Sequence, residues 1–195
     1  TPIVDDPYLF GRIASANAIS DVYAMGAKPF MATAIAGFPT DEMSNEDIAR
    51  VMKGASDLCL ELGVALAGGH TIKNQQPIYG LACVGKMKAK NIKRNNDAQI
   101  GDAIILTKPL GIGVLATALK IGFISDFLKD KFEEAVTGVN TDGAWLGKID
   151  EVHGMTDVTG FGATGHLVEM AKGSGTHFEI DSSKIRFIEG VLELA

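Results

Sequence analysis

Two carboxylates, Asp21 and Asp157, are the residues whose type and setting best support chemistry in this chain. Asp21 lies in the apolar run "NAISDVYAMGAKP", where a buried carboxylate is costly unless it is paired, hydrogen-bonded or bound to a metal. Asn17 stands four residues earlier on the same helical face, so both side chains could converge on one ligand. Asp21 therefore faces either solvent, through its helical phase, or a positive group that the sequence does not name.

Asp157 belongs to the stretch "MTDVTGFG", which places it shortly before Gly160 and Gly162. Glycine lets the backbone approach a ligand, and the N–H groups that open the following helix can face an anion. A carboxylate in this position can hold Mg²⁺, which takes one or two carboxylates together with phosphate oxygens. The alternative is a glycine-rich turn in which Asp157 is a cap, and the pattern alone leaves both interpretations open.

A third motif, "AGGHTI", follows the short predicted strand "VALAG". We expect Gly68 and Gly69 to end that strand and to deliver His70 and Thr71 to a loop. Adjacent glycines at a strand end indicate close approach of a ligand or of another chain, although a purely structural turn is the alternative. The motif "TKPLGIG" lacks the Lys-Ser/Thr ending of a P-loop and predicts only a turn.

The overall composition excludes several classes of function. Hydrophobic residues make up 46% and charged residues 22% of the 195, as in ordinary soluble proteins. The net charge of −6 argues against nucleic acid and anionic membranes as partners, and no apolar stretch is long enough to span a bilayer. Cys59 and Cys83 have no metal-ligand spacing, so we interpret them as buried, reduced thiols of a cytoplasmic protein.

The elements that must position these residues alternate between helices and strands. A helix is predicted from the Asp6-Pro7 start to near Gly26, and a second one follows Ser44. Strands are predicted at "PFMATAIAGFP", "IYGLACVGKM" and "THFEIDSSKI", and "AIILTKPLGIG" predicts a strand followed by a turn and the start of a helix. Further helices are predicted at "VLATALKIG", near 125–136, near 140–149 and after "TGFG". The class is therefore α/β or α+β, and the polar segment "KAKNIKRNNDAQIGD" predicts a boundary between domains 1–90 and 98–195.

Four motifs together resemble the selenophosphate synthetase (selenide, water dikinase) family of the aminoimidazole ribonucleotide synthetase-like superfamily. They are "TPIVDDPYLFGRIASANAISDVYAMGAKP", "ALAGGHTI", "LTKPLGIGVL" and "MTDVTGFGATGHL", in that order. The resemblance implies a two-domain fold, with N-terminal strands from both subunits of a homodimer closing a barrel. It also implies that this chain is truncated at both ends, with an ATP-binding and dimerisation domain at 1–90 and an α+β domain at 98–195.

The implied reaction converts selenide, ATP and water into selenophosphate, AMP and phosphate. By matching motif, Asp21 and Asp157 would bind Mg²⁺ under the ATP phosphates. The implied nucleotide contacts are Asn17, Gly68, Gly69, His70 and Thr71, with the glycine–histidine–threonine group acting on ATP bound mainly to the partner subunit.

The resemblance assigns no catalytic residue to this chain. The family's catalytic Cys or selenocysteine and its Lys are expected upstream of Thr1, and neither Cys59 nor Cys83 lies in that motif. We therefore expect the chain as given not to turn over. Two alternatives stay open: another ATP-dependent enzyme of the superfamily, or a non-catalytic nucleotide-binding or dimerisation fragment.

Overall fold

A computed structural model describes residues 2–195; Thr1, which begins the first motif and the first predicted domain, lies outside the described residues. The strands are β1 (Lys28–Phe38), β2 (Ala65–Lys73) and β3 (Ile78–Lys86). The helices are α1 (Pro7–Ala24), α2 (Asn45–Glu61), α3 (Ile112–Lys120), α4 (Asp126–Thr137), α5 (Gly143–Leu146) and α6 (Gly162–Ser174). Single 3₁₀ turns lie at Ala89–Asn91, Ser182–Lys184 and Val191–Glu193. The predicted α+β class is confirmed.

The first helix begins where its capping signal predicts. The Asp6 carboxylate accepts the Leu9 N–H at 2.7 Å, and Pro7 occupies the first turn, where its missing N–H costs nothing. The Ser44 hydroxyl likewise accepts the Asp47 N–H at 3.0 Å at the start of α2. Both predicted helix starts are confirmed.

Helices α1 and α2 cross at unusually short range through a pair of glycines. A Cβ added to Gly11 would lie 1.9 Å from the Val51 carbonyl oxygen, and one added to Gly54 would lie 2.0 Å from that of Tyr8. Each of these glycines has only a hydrogen atom where the Cβ of any other residue would clash with the facing backbone. The two helix backbones can therefore come into contact. This crossing fixes α1, which carries Asn17 and Asp21.

The three strands form one mixed sheet in the order β2-β1-β3, with β2 parallel and β3 antiparallel to β1. One face buries Ala34, Ala36 and Phe38 in a core shared with Phe10 of α1 and Val51 of α2. The opposite face of the sheet exposes four apolar side chains: Ile35, Ile72, Ile78 and Val84.

The prediction that Gly68 and Gly69 end a strand is wrong, as is the loop predicted for His70 and Thr71. Strand β2 continues to Lys73, because β1 offers it a hydrogen-bonding partner as far as Phe38. The register shifts between Leu66 and Gly69, and Gly68 has a φ of +115°, so the chain passes these glycines through a bulge.

The two strands predicted in the second half are also wrong. The segments 103–107 and 176–180 contain no ladder, and the recorded pairing nearby is an isolated parallel bridge between Leu110 and Phe187. A β-prone segment becomes a strand only where a second backbone satisfies its N–H and C=O groups, and neither segment meets one in the described residues. The helix predicted near 140–149 shortens to the single turn of α5.

The two halves of the chain pack against each other around the end of α1. Asn140 donates its side-chain amide to the Ser20 hydroxyl at 2.8 Å, and Lys93 donates its ammonium to the Ile149 carbonyl at 2.7 Å. A Cβ added to Gly147 would lie 2.5 Å from the Gly26 carbonyl oxygen. This contact brings the segment before α6 towards the end of α1 that carries Asp21.

No helix within residues 2–195 is both long and apolar enough to cross a membrane.

Candidate functional site

The structure brings the two predicted carboxylates into electrostatic contact. Asp21 lies in the last turns of α1, and Asp157 lies in the segment that leads into α6, 136 positions later. The pKa of Asp21 is raised above its ordinary value, first by partial burial and second by the negative charge of Asp157. The sequence left open whether Asp21 faces solvent or a positive group. In the structure its side chain is exposed to solvent, and the charged group that acts on it is another carboxylate.

Asp157 carries an unsatisfied oxygen. Its Oδ2 atom is buried and has no hydrogen-bond partner among the described residues. An ionised carboxylate only accepts hydrogen bonds, so this oxygen requires a donor or a cation, and leaving it unpaired costs about 1–3 kcal/mol. A second negative charge nearby raises that cost. The pair therefore has the electrostatic character of a cation site.

The donor set suits magnesium better than zinc. Among residues 2–195 no cluster of three or more His, Cys, Asp or Glu side chains is arranged around a common point. A zinc site built from protein side chains needs at least three such ligands. Mg²⁺ is commonly held by one or two carboxylates, with water and substrate phosphates completing its octahedron. The residues present fit a magnesium ion that arrives with a polyphosphate.

Two further polar residues, Asn17 and Ser20, accompany Asp21 near the end of α1. Asn17, one turn before Asp21, is exposed on the same helix, as its predicted role in binding requires. Ser20 is buried and accepts the Asn140 amide, so the residue beside Asp21 is tied to the second half of the chain. Asn140 was not predicted as a site residue, because no local motif distinguishes it from other loop asparagines.

The turn after Asp157 is anchored by His166, a histidine to which no sequence motif assigned a role. His166 is 8% exposed, and its Nε2 accepts the Thr159 N–H at 3.1 Å. Gly162 opens α6 with a φ of +69°, which favours glycine. The spacing of seven residues between Thr159 and His166 is not a recognised motif, so only the tertiary structure identifies this contact.

Neither cysteine is suited to act as a nucleophile. Burial is the main cause that raises the pKa of the Cys83 thiol to about 11, and the neighbouring Cys59 and the charge of Asp21 add to it. Burial also raises the pKa of Cys59. Both cysteines are free, Cys59 buried and Cys83 half-buried. A thiol that stays protonated at neutral pH is a poor nucleophile, because the thiolate is the reactive form.

The four residues of the "GGHT" motif lie on β2 at the edge of the sheet, whereas Asp21 lies on α1 and Asp157 lies in the segment before α6. A Cβ added to Gly69 would lie 2.1 Å from the Ala34 carbonyl oxygen, so the neighbouring strand already explains this glycine. Gly68, His70 and Thr71 are exposed along β2. Their contact with a nucleotide bound by a partner subunit stays a prediction.

Comparison with protein families gives two matches that follow each other along the chain. Residues 1–87 match the N-terminal domain of the AIR synthase related proteins, and residues 99–194 match the C-terminal domain of the same proteins.

Curated relatives cover the whole of this chain. A protein of Pseudomonas straminea named selenide, water dikinase is 48% identical over 194 residues, which are 100% of this chain and 54% of that protein. A selenide, water dikinase of Paraburkholderia xenovorans is 47% identical over 194 residues, covering 55% of its length. The chain therefore spans about half the length of the curated relatives it matches.

Solved structures share the fold at low sequence identity. The thiamine-monophosphate kinase of Stenotrophomonas maltophilia superposes with a TM-score of 0.87 at 22% identity, over 100% of this chain and 63% of that one. A structure of the hydrogenase maturation protein HypE in complex with ATP superposes with a TM-score of 0.77 at 17% identity, over 95% of this chain and 56% of that one. At these identities the likeness concerns the fold alone.

Proposed function

The chain belongs to the AIR synthase related family, and because its curated relatives are selenide, water dikinases, we propose that it serves in the synthesis of selenophosphate from selenide, ATP and water. AMP and phosphate are the other products in this proposal. In this proposal, the role of the 195-residue chain is to bind the polyphosphate of ATP together with Mg²⁺. The observation that carries this role is the buried, unpaired Oδ2 of Asp157 beside the charge of Asp21.

In the proposed mechanism, Asp21 and Asp157 would hold the magnesium ion from two halves of the chain. Bound there, Mg²⁺ supplies positive charge against the phosphate oxygens, which phosphoryl transfer depends on. Asn17, on the preceding turn of α1, would orient the bound ligand, and the N–H groups at the start of α6 would supply donors to the phosphates. The hydrogen bonds from Asn140 to Ser20 and from Lys93 to Ile149 join the second half of the chain to the region around the end of α1. They thereby help to hold the two carboxylates near each other.

We also propose that the protein works as a homodimer. The face of the sheet opposite α1 and α2 exposes Ile35, Ile72, Ile78 and Val84, which a soluble monomer rarely leaves in contact with water as one patch. Pairing of such faces from two subunits is the barrel that the family resemblance implies. In that dimer, Gly68, Gly69, His70 and Thr71 of β2 would meet a nucleotide held by the other subunit.

The protein's proposed compartment is the cytoplasm, where free thiols such as Cys59 and Cys83 stay reduced. Its net charge of −6 supports neither nucleic acid nor an anionic membrane as a partner.

Calorimetric titration with ATP, with and without Mg²⁺, tests the binding role in this chain. We expect Mg²⁺ to strengthen ATP binding, and we expect Asp21→Asn and Asp157→Asn each to remove that increment, lowering the affinity at least about tenfold, or ~1.4 kcal/mol. Asp130→Asn, an exposed carboxylate on α4, is the matched control and should leave the increment intact. Unchanged magnesium dependence in both site variants would reject the site.

Product analysis separates the proposed reaction from the other ATP-dependent activities of the superfamily. Selenide-dependent release of AMP supports selenophosphate synthesis. Release of ADP, with phosphate passed to another acceptor, would instead favour a kinase of small metabolites.

A further inference from the structure

His166 occupies a position from which it controls the turn that carries Asp157. The histidine lies on α6 and is 8% exposed, although the turn it contacts is open to solvent. Its Nε2 accepts the Thr159 N–H at 3.1 Å and lies 3.3 Å from the Thr159 hydroxyl. The ring also packs at a tilt against Phe161, with 5.8 Å between the ring centroids.

The hydrogen bond to Thr159 determines the tautomer of the histidine. A backbone N–H can only donate, so Nε2 must present its lone pair. The neutral ring then carries its proton on Nδ1.

The turn needs an anchor because its other features favour motion. Phe161 is 80% exposed and Val158 is 41% exposed, so the turn buries little apolar surface. Gly160 adds backbone freedom. The buried, unpaired oxygen of Asp157 and the like charge of Asp21 both favour movement of Asp157 out towards water.

We propose that His166 is a positioning residue that holds the turn of residues 157–162 to α6, and thereby keeps Asp157 opposite Asp21 for the divalent cation. The inference rests on the proposed magnesium-dependent binding of ATP, which it deepens by naming the group that preorganises one of the two carboxylates. Groups that orient metal ligands without touching the metal typically contribute 10–100-fold to metal affinity.

The test compares variants of His166 in the 195-residue chain whose side chains differ in length and in whether they carry a hydrogen-bond acceptor. His166→Gln places an acceptor oxygen near the position of Nε2, His166→Asn is polar but too short, and His166→Leu has no acceptor. His177→Leu, an exposed histidine beyond α6, is the matched control. Two quantities are measured: hydrogen exchange of the Thr159 amide without metal, and the affinity for Mn²⁺ in the presence of ATP.

We expect His166→Leu and His166→Asn to speed exchange of the Thr159 amide and to weaken Mn²⁺ binding about tenfold. His166→Gln should restore both quantities to within about threefold, and His177→Leu should change neither. If His166→Leu does not fold, the comparison of Gln with Asn carries the test, since both are polar and differ in reach.

The outcomes separate this inference from the function on which it rests. Tight Mn²⁺ binding in every His166 variant would overturn the positioning role while leaving the metal site in place. Equal losses in the Gln and Asn variants, or equal exchange of the Thr159 amide in all proteins, would also overturn it. Absence of Mn²⁺ binding in the unsubstituted chain would overturn the proposed function and the positioning role together.

Discussion

At the scale of single residues, Asp21 and Asp157 are arranged at the expense of stability. The charge of Asp157 acts on Asp21, and one oxygen of Asp157 is buried without a hydrogen-bond partner among the described residues. Unfavourable groups of this kind persist where a ligand compensates for them, and they are typical of functional sites. The metal-free chain is therefore expected to be less stable than the same chain with one charge removed.

Removal of the charge on Asp21 tests this conflict between stability and binding. We expect Asp21→Asn to raise the free energy of unfolding of the metal-free chain by about 0.5 kcal/mol, a value that allows for solvent screening of a partly exposed charge. Mg²⁺ with ATP should then stabilise the original chain more than the variant, because a ligand stabilises a protein in proportion to how tightly the folded state binds it. Urea denaturation with and without the ligands measures both effects.

The double variant with Asp157→Asn is the informative control. Because the two charges act on each other, the stability gains should be less than additive. A lower free energy of unfolding for Asp21→Asn would contradict the interpretation of the pair as mutually repulsive.

At the scale of elements, the crossing of α1 and α2 determines where the Asp21 end of α1 points. Gly11 and Gly54 let the two backbones meet, and the bidentate ion pair of Arg12 with Glu61 spans the same helices at 2.7 and 2.8 Å. The Glu61 side chain is 54% exposed, so solvent screens this ion pair, and the close glycine contact is the stronger constraint.

Two substitutions of glycine by alanine should change the free energy of unfolding in opposite directions. Gly54→Ala gains about 1 kcal/mol of helix propensity but drives a methyl group against the Tyr8 carbonyl, so we expect a net loss of about 2 kcal/mol in the free energy of unfolding. Gly113→Ala, a helical position in α3 where a Cβ meets nothing within 4 Å, should gain about 0.5 kcal/mol. Chemical denaturation measures both, and a stabilised Gly54→Ala protein would show that the helices separate at little cost.

At the scale of the whole molecule, the exposed apolar face of the sheet is the feature least expected of a monomer. Ile35 lies at its centre on β1 and is 53% exposed. Two copies that cover this face would remove the apolar patch and place the β2 edge of one subunit near the other.

Sedimentation of two aspartate variants tests the homodimer. Ile35→Asp places a charge in the proposed interface, and we expect it to weaken self-association at least about tenfold, or ~1.4 kcal/mol. Leu60→Asp alters a residue that is 78% exposed on α2, outside the sheet, and should leave self-association unchanged. A monomeric unsubstituted chain, or equal effects of the two variants, would reject this interface.

Local patterns in the sequence sufficed for the features that depend on neighbouring residues. The cap signals of Asp6 and Ser44 predicted both helix starts, because a cap is a contact over three residues. Asp21 and Asp157 stood out because a carboxylate in an apolar run or beside glycines requires a cause.

Only the tertiary structure determined the features that depend on distant backbone. The strand through Gly68 and Gly69 exists because β1 lies beside it. In the part of the chain that the structure describes, the segments 103–107 and 176–180 form no strand, because no neighbouring backbone pairs with them. The nearness of Asp157 to Asp21 depends on how the two halves pack. Periodicity reports which residues share a face, but contacts across 136 positions follow from packing and hydrogen bonding, which no short stretch encodes.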